Sequence, residues 1–147
     1  MWEEETLRAF LRPLFWFGYL SVLFALTMAP HPESQEHPLR LIPFRTIWDC
    51  FQQGGWIWVV NILGNLAAFV PLGFLRAESR PELDQAGKVV LYSFLLSAFI
   101  EALQLASGQR IADIDDVLLN SLGGLLGFGI CRLFRGVVTR RASEAAC

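Results

Sequence analysis

The sequence is short of charge, of cysteine and of histidine, and each shortage excludes something. Charged residues make up 18% of the 147 positions and hydrophobic ones 54%, whereas an average soluble domain is roughly a quarter charged. That balance is shifted toward lipid, and the length suits one domain. The three cysteines, Cys50, Cys131 and Cys147, are too few and too scattered for a disulfide framework or a zinc site. They read as incidental thiols. Both histidines, His31 and His37, fall in a Pro-rich stretch. No serine or cysteine nucleophile has an obvious partner. No basic stripe with interleaved aromatics points to nucleic acid, and no internal repeat or low-complexity tract is visible. The formal net charge of −2 excludes nothing by itself.

What is present is long uncharged runs. The first covers Pro13 to Ala29, and the second Cys50 to Leu75. The third runs from Val89 and is interrupted only by Glu101 before Arg110, and the fourth covers Val117 to Cys131. A helix needs about 20 apolar residues to cross the hydrocarbon core. The runs therefore predict an all-α, integral membrane four-helix bundle over 1–147, with transmembrane helices at about 11–29, 56–76, 87–107 and 114–134. The fourth reaches its length by snorkelling of Arg132. A cleaved signal peptide is disfavoured by the acidic leader Glu3-Glu4-Glu5, since such peptides begin basic.

Basic residues give an orientation. Nine of the 12 Lys and Arg flank one set of helix ends, and three (Arg40, Arg45 and Arg110) flank the other. The expectation is a multi-pass protein of the cell membrane with both termini cytoplasmic. An outer loop then spans about 30–55, and a tight one about 107–115. The first opens on the helix breakers Pro30, Pro32 and Pro38. It continues through Leu41, Phe44, Trp48 and Phe51, a composition suited to lying in the outer interface. The tail from Arg140 to Cys147 is expected to be mobile and to touch anionic lipid at most.

Polar residues inside membrane helices are costly and face a bundle interior or cavity. Here they recur at helical spacing on three helices: Asn61 and Asn65; Ser93, Ser97 and Glu101 with Gln104 adjacent; Asp116 and Asn120. Such spacings share a helix face. The last stripe continues into Gly123, Gly124 and Gly127, a small-residue surface for close helix packing. The same glycines are an expected face for a homo-oligomer. Counting residues at 1.5 Å each puts Glu101 and Asn120 at similar depth, Asn61 slightly shallower and Asn65 deepest. Beside them lies Arg110 with Asp113, Asp115 and Asp116. Asp113 or Asp115 suits a cap for the fourth helix, and Arg110 is the expected partner of Glu101. The candidate ligand-binding set is Asn61, Asn65, Glu101, Gln104, Arg110, Asp113, Asp116 and Asn120, with no metal and no cofactor assigned.

The string Asn61-Ile62-Leu63-Gly64-Asn65 through Pro71-Leu72-Gly73 resembles a signature of the VanZ-like family. So do Glu101-Ala102-Leu103-Gln104, Arg110, Asp113-Ile114-Asp115-Asp116 through Asn120 to Gly124, and Leu41-Ile42-Pro43-Phe44. The resemblance runs from the first helix to about Phe134. It implies a fold, a membrane address and a set of site positions, and not a reaction. The family's founding member gives low-level teicoplanin resistance.

The leading expectation for function is an outward-facing polar pocket that binds or acts on a cell-envelope or lipid-linked ligand. Arginines would hold phosphate and asparagines would meet sugar hydroxyls or amides. One alternative is a membrane-embedded enzyme, with Glu101 as base and Asp113, Asp115 or Asp116 holding a divalent ion. Another is a transporter or flippase component, and a third is a structural partner of another membrane protein.

Overall fold

The four uncharged runs become four long helices. In the computed structural model, which describes residues 2–27, 39–79, 86–108 and 111–145, the order is α1 (Trp2–Thr27), β1 (Leu39–Arg40), α2 (Arg45–Gln53), α3 (Trp56–Ser79), α4 (Ala86–Ser107), β2 (Ala112–Asp113) and α5 (Ile114–Ala145). Stretches long and apolar enough to cross a membrane lie at Ala9–Thr27, Val59–Glu78, Ala86–Ser107 and Ile114–Arg141. The chain is an all-α membrane bundle. Its exposed side chains fit that reading: Phe10, Phe17, Phe24, Phe99, Leu133 and Phe134 all point outward, as they should where the solvent is hydrocarbon.

Because lipid is as apolar as leucine, the helices need close packing rather than hydrophobic burial to associate. The glycines provide it. A Cβ added at Gly127 would lie 2.0 Å from the Val70 carbonyl oxygen, one at Gly123 would lie 2.2 Å from that of Leu66, and one at Gly73 would lie 1.8 Å from that of Gly124. Backbone therefore meets backbone along α3 and α5. Gly124 also faces the Ser93 side chain of α4, whose hydroxyl would be 2.0 Å from an added Cβ. The glycine face expected for a homo-oligomer is covered within the chain, so a second copy would have to use another surface of α5.

Two apolar clusters complete the interior. Leu23, Phe69, Leu72 and Ile100 join α1, α3 and α4, and Ala77, Val89, Phe128 and Cys131 fill the end nearer the chain termini. Helix α1 is peripheral. It is fastened to α3 by Leu23, by a hydrogen bond from the Tyr19 hydroxyl to the Ala68 carbonyl at 2.9 Å, and by an exposed Arg12–Glu78 ion pair at 3.1 Å. At the same end Arg135 donates to the Ala77 carbonyl, and the Arg76 guanidinium lies 4.2 Å from the centre of the Tyr92 ring.

Two expectations need correction. Helix α5 continues to Ala145 instead of stopping near 134, so Arg140 is helical. Its charges end the apolar stretch, but no proline interrupts residues 132–145, and a helix has no reason to stop at the membrane boundary. The 30–55 connection, in turn, contains helix α2 and strand β1, which pairs in parallel with β2 (Leu39 beside Ala112, Arg40 beside Asp113). The run Pro30–Pro38 falls outside the described residues.

The α3–α5 contact yields a matched pair of expectations. Gly127→Leu should lower stability by about 3 kcal/mol or more, the upper range for overpacking, since backbone cannot rotate aside. Gly129→Leu has open space and should be near neutral. Thermal unfolding of the detergent-solubilised protein compares them.

Candidate functional site

At the bundle end opposite the termini, α2 lies against the tops of α3 and α5, and its residues divide three ways. Thr46, Ile47 and Cys50 face the protein, and Phe44, Trp48 and Phe51 are exposed apolar groups. Arg45 and Asp49, 3.9 Å apart, form an exposed polar edge. The helix begins at Phe44, whose φ of 64° lies in the left-handed region. Such a φ is a costly conformation for a bulky residue, tolerated where surroundings enforce it. Phe44 brings no side-chain cap of its own. The cap comes from far away in sequence: the Asp115 carboxylate accepts the amide of Phe44 at 2.5 Å and that of Ile47 at 3.1 Å. A carboxylate at a helix N-terminus satisfies orphan amides and suits the helix dipole.

The neighbouring acids extend this clasp. Asp113 accepts the Thr46 hydroxyl at 2.5 Å through one oxygen and the Asp115 amide at 2.9 Å through the other. The second bond is the expected cap of α5. Glu101, 8% exposed, accepts the Asp113 amide at 2.7 Å. A chain of carboxylates thus ties α4 to β2, β2 to the start of α5, and both to α2. Asp113 and Asp115 are almost fully buried and are met by neutral donors, one hydroxyl and three amides.

The remaining expected site residues are paired rather than gathered around one point. Asn65 donates to Asp116 at 2.6 Å. Asn120 donates to Ser97 at 2.8 Å, one turn of α4 below Glu101. Gln104 donates to the Thr27 carbonyl at 2.8 Å, closing the end of α1 onto α4. Asn61 is exposed, its amide nitrogen 3.7 Å from the Cys50 sulfur. Arg110 lies outside the described residues. Asn65 reaches Asp116 in the first turn of α5, although the backbone of the next residue, Leu66, meets Gly123; Asn120 meets α4 one turn farther along than Glu101. Two buried oxygens on this α4–α5 seam, Asn120 Oδ1 and Ser93 Oγ, have no hydrogen-bond partner. Farther along, the seam ends on the apolar cluster of Val89, Phe128 and Cys131.

Sequence reasoning did not single out Thr46, assigned Asp115 to α5 and not to α2, and left Ser97 out of the candidate ligand-binding set. No local pattern announces a cap supplied from 71 positions away. The helical spacing of Thr46, Ile47 and Cys50 against Phe44, Trp48 and Phe51 was the available signal for α2. Among the described residues, no group of three His, Cys, Asp or Glu side chains is placed to hold a metal ion.

A family model described as VanZ/LLP1 matches residues 15–135. The chain belongs to the VanZ/LLP1 family. The matched stretch takes in the second half of α1 and the entire clasp. No curated protein and no solved structure matches the chain.

In this VanZ/LLP1 chain, Asp115→Ala should release the Phe44 and Ile47 amides together. Hydrogen bonds to charged groups contribute about 1.5–3 kcal/mol each, so exchange at residues 44–47 should accelerate at least tenfold. Amide exchange in α3 should be unaffected. Hydrogen–deuterium exchange of the detergent-solubilised protein reads both.

Proposed function

We propose that this VanZ/LLP1 protein lies in the cell membrane with both termini in the cytoplasm, and that the α2 end faces outward to bind the head group of a lipid-linked or surface-polymer ligand of the cell envelope. The nine-to-three division of basic residues supports the orientation. Exposed Phe44, Trp48 and Phe51 on α2 suit the outer interface, where amphipathic aromatic residues collect.

The observation that carries the binding reading is the placing of Glu101. It is a carboxylate within a membrane-spanning helix, buried at the head of the polar seam, and its bond to the Asp113 amide links the seam to the clasp above. Exposed Arg40 and Arg45 flank that clasp and offer guanidinium groups to phosphate. Asn61, Asn65 and Asp116 beneath them offer donors and acceptors for sugar hydroxyls or amides. Arg110, Gln104 and Asn120 belong to the same proposed set. The metal-assisted enzyme reading would need Asp113, Asp115 and Asp116 turned toward one ion, and two of these three are engaged by Thr46 and backbone amides. The resistance of the family's founding member makes a glycopeptide such as teicoplanin the first condition to try.

The test is expression of the wild type and Glu101→Gln in a glycopeptide-sensitive Gram-positive host, with membrane abundance measured beside susceptibility. Glutamine keeps an oxygen for the Asp113 amide, so the clasp should persist and abundance should match. Protection by the wild type and none by the variant is the expected result. Equal protection by both would remove Glu101 from the site. No protection by the wild type would detach this chain from glycopeptide resistance.

A further inference from the structure

Away from the clasp, a groove of about 640 Å³ runs between α1 and α3. Leu14, Phe15, Gly18 and Val22 form one wall, and Pro71 and Phe74 contribute to the other. The polar tip of Tyr19, also on the lining, is already bonded to the Ala68 carbonyl. The space therefore offers water no partners. We propose that it holds one acyl chain of a phospholipid from the leaflet on the side of the chain termini.

Length and charge favour that occupant. The α1 wall extends from Leu11 to Val22, or about 16 Å at 1.5 Å per residue. This is close to half of a hydrocarbon core of about 30 Å, one leaflet's depth. At the end near the termini lies Arg12, 47% exposed, with one bond to Glu78. A guanidinium has five donors, so it keeps several for a lipid phosphate at head-group level. Gly18 leaves room for the chain: an added Cβ there would meet nothing within 4 Å. Since α1 holds the bundle along one narrow strip, the lipid would fill its unsupported flank. This placement does not depend on the head-group reading of the α2 end.

The experiment uses the full chain in vesicles of phosphatidylethanolamine and phosphatidylglycerol doped with a phospholipid bearing a mid-chain diazirine. After irradiation, labelled residues are mapped by mass spectrometry. Labelling should concentrate at residues 14–22 and 70–75. Gly18→Phe, which fills the groove, should reduce it about tenfold. Gly64→Phe, on an exposed part of α3 that is equally open, should leave it unchanged. Val22→Trp gives the same reading if Gly18→Phe does not accumulate. Even labelling of all lipid-facing helices, indifferent to Gly18→Phe, would overturn the proposal. So would disulfide dimers of Phe15→Cys formed in high yield with the groove unlabelled, which would show a second copy there.

Discussion

Everything in this bundle depends on how closely α3 and α5 approach. Gly73, Gly123 and Gly127 let carbonyl groups of one helix sit where side chains of the other would be. In hydrocarbon, dispersion and backbone approach replace the hydrophobic effect as the source of association. That contact sets the axial offset of α3 against α5. The same packing lets the Asn65 side chain reach Asp116. The placing of α4 follows from Gly124, where Ser93 packs, and from the Ser97–Asn120 bond.

The legible part of the structure was the part fixed by local composition. Uncharged runs located the spans, and helical spacing put Asn65, Asp116, Glu101 and Asn120 on inward faces, where the structure has them. The pairings between helices were not legible: Asn65 meets Asp116 and Asn120 meets Ser97, and counting along single helices does not give such partners. Helix α2 was hidden for a different reason. Its cap is not in its own sequence: Phe44 occupies the capping position, and Asp115 supplies the carboxylate from the first turn of α5. Reading a window around residue 45 cannot find a donor–acceptor pair whose halves meet only after the bundle has formed.

The acidic connection has a divided role. Asp113 and Asp115 have a structural task, since both are buried and their oxygens meet amides and a hydroxyl of neighbouring segments. Losing one would expose several buried donors at once, which is costly where no water replaces them. Glu101 shares in that task through the Asp113 amide but also begins a seam of polar atoms between α4 and α5. A membrane-buried hydrogen bond contributes only about 0.6 kcal/mol on average. The carboxylate is therefore an expensive way to glue two helices that already pack through Gly124 and Ser93.

The form of that seam distinguishes holding a ligand from moving one. From Glu101 it passes Ser97 and Asn120 and reaches Ser93, with Asn120 Oδ1 and Ser93 Oγ unpartnered. Beyond Ser93, among the described residues, lies the largely apolar cluster of Val89, Phe128, Cys131 and Ala77. A translocation path needs polar or wet surface at both ends, or an element that rearranges to provide it. A seam closed by an apolar cluster at one end provides a floor instead. Chemistry entering from the α2 end would meet Glu101 first and stop within the bundle. That geometry supports the proposed binding site at the α2 end over a translocation path, with the clasp and the backbone contact beneath it to hold its shape.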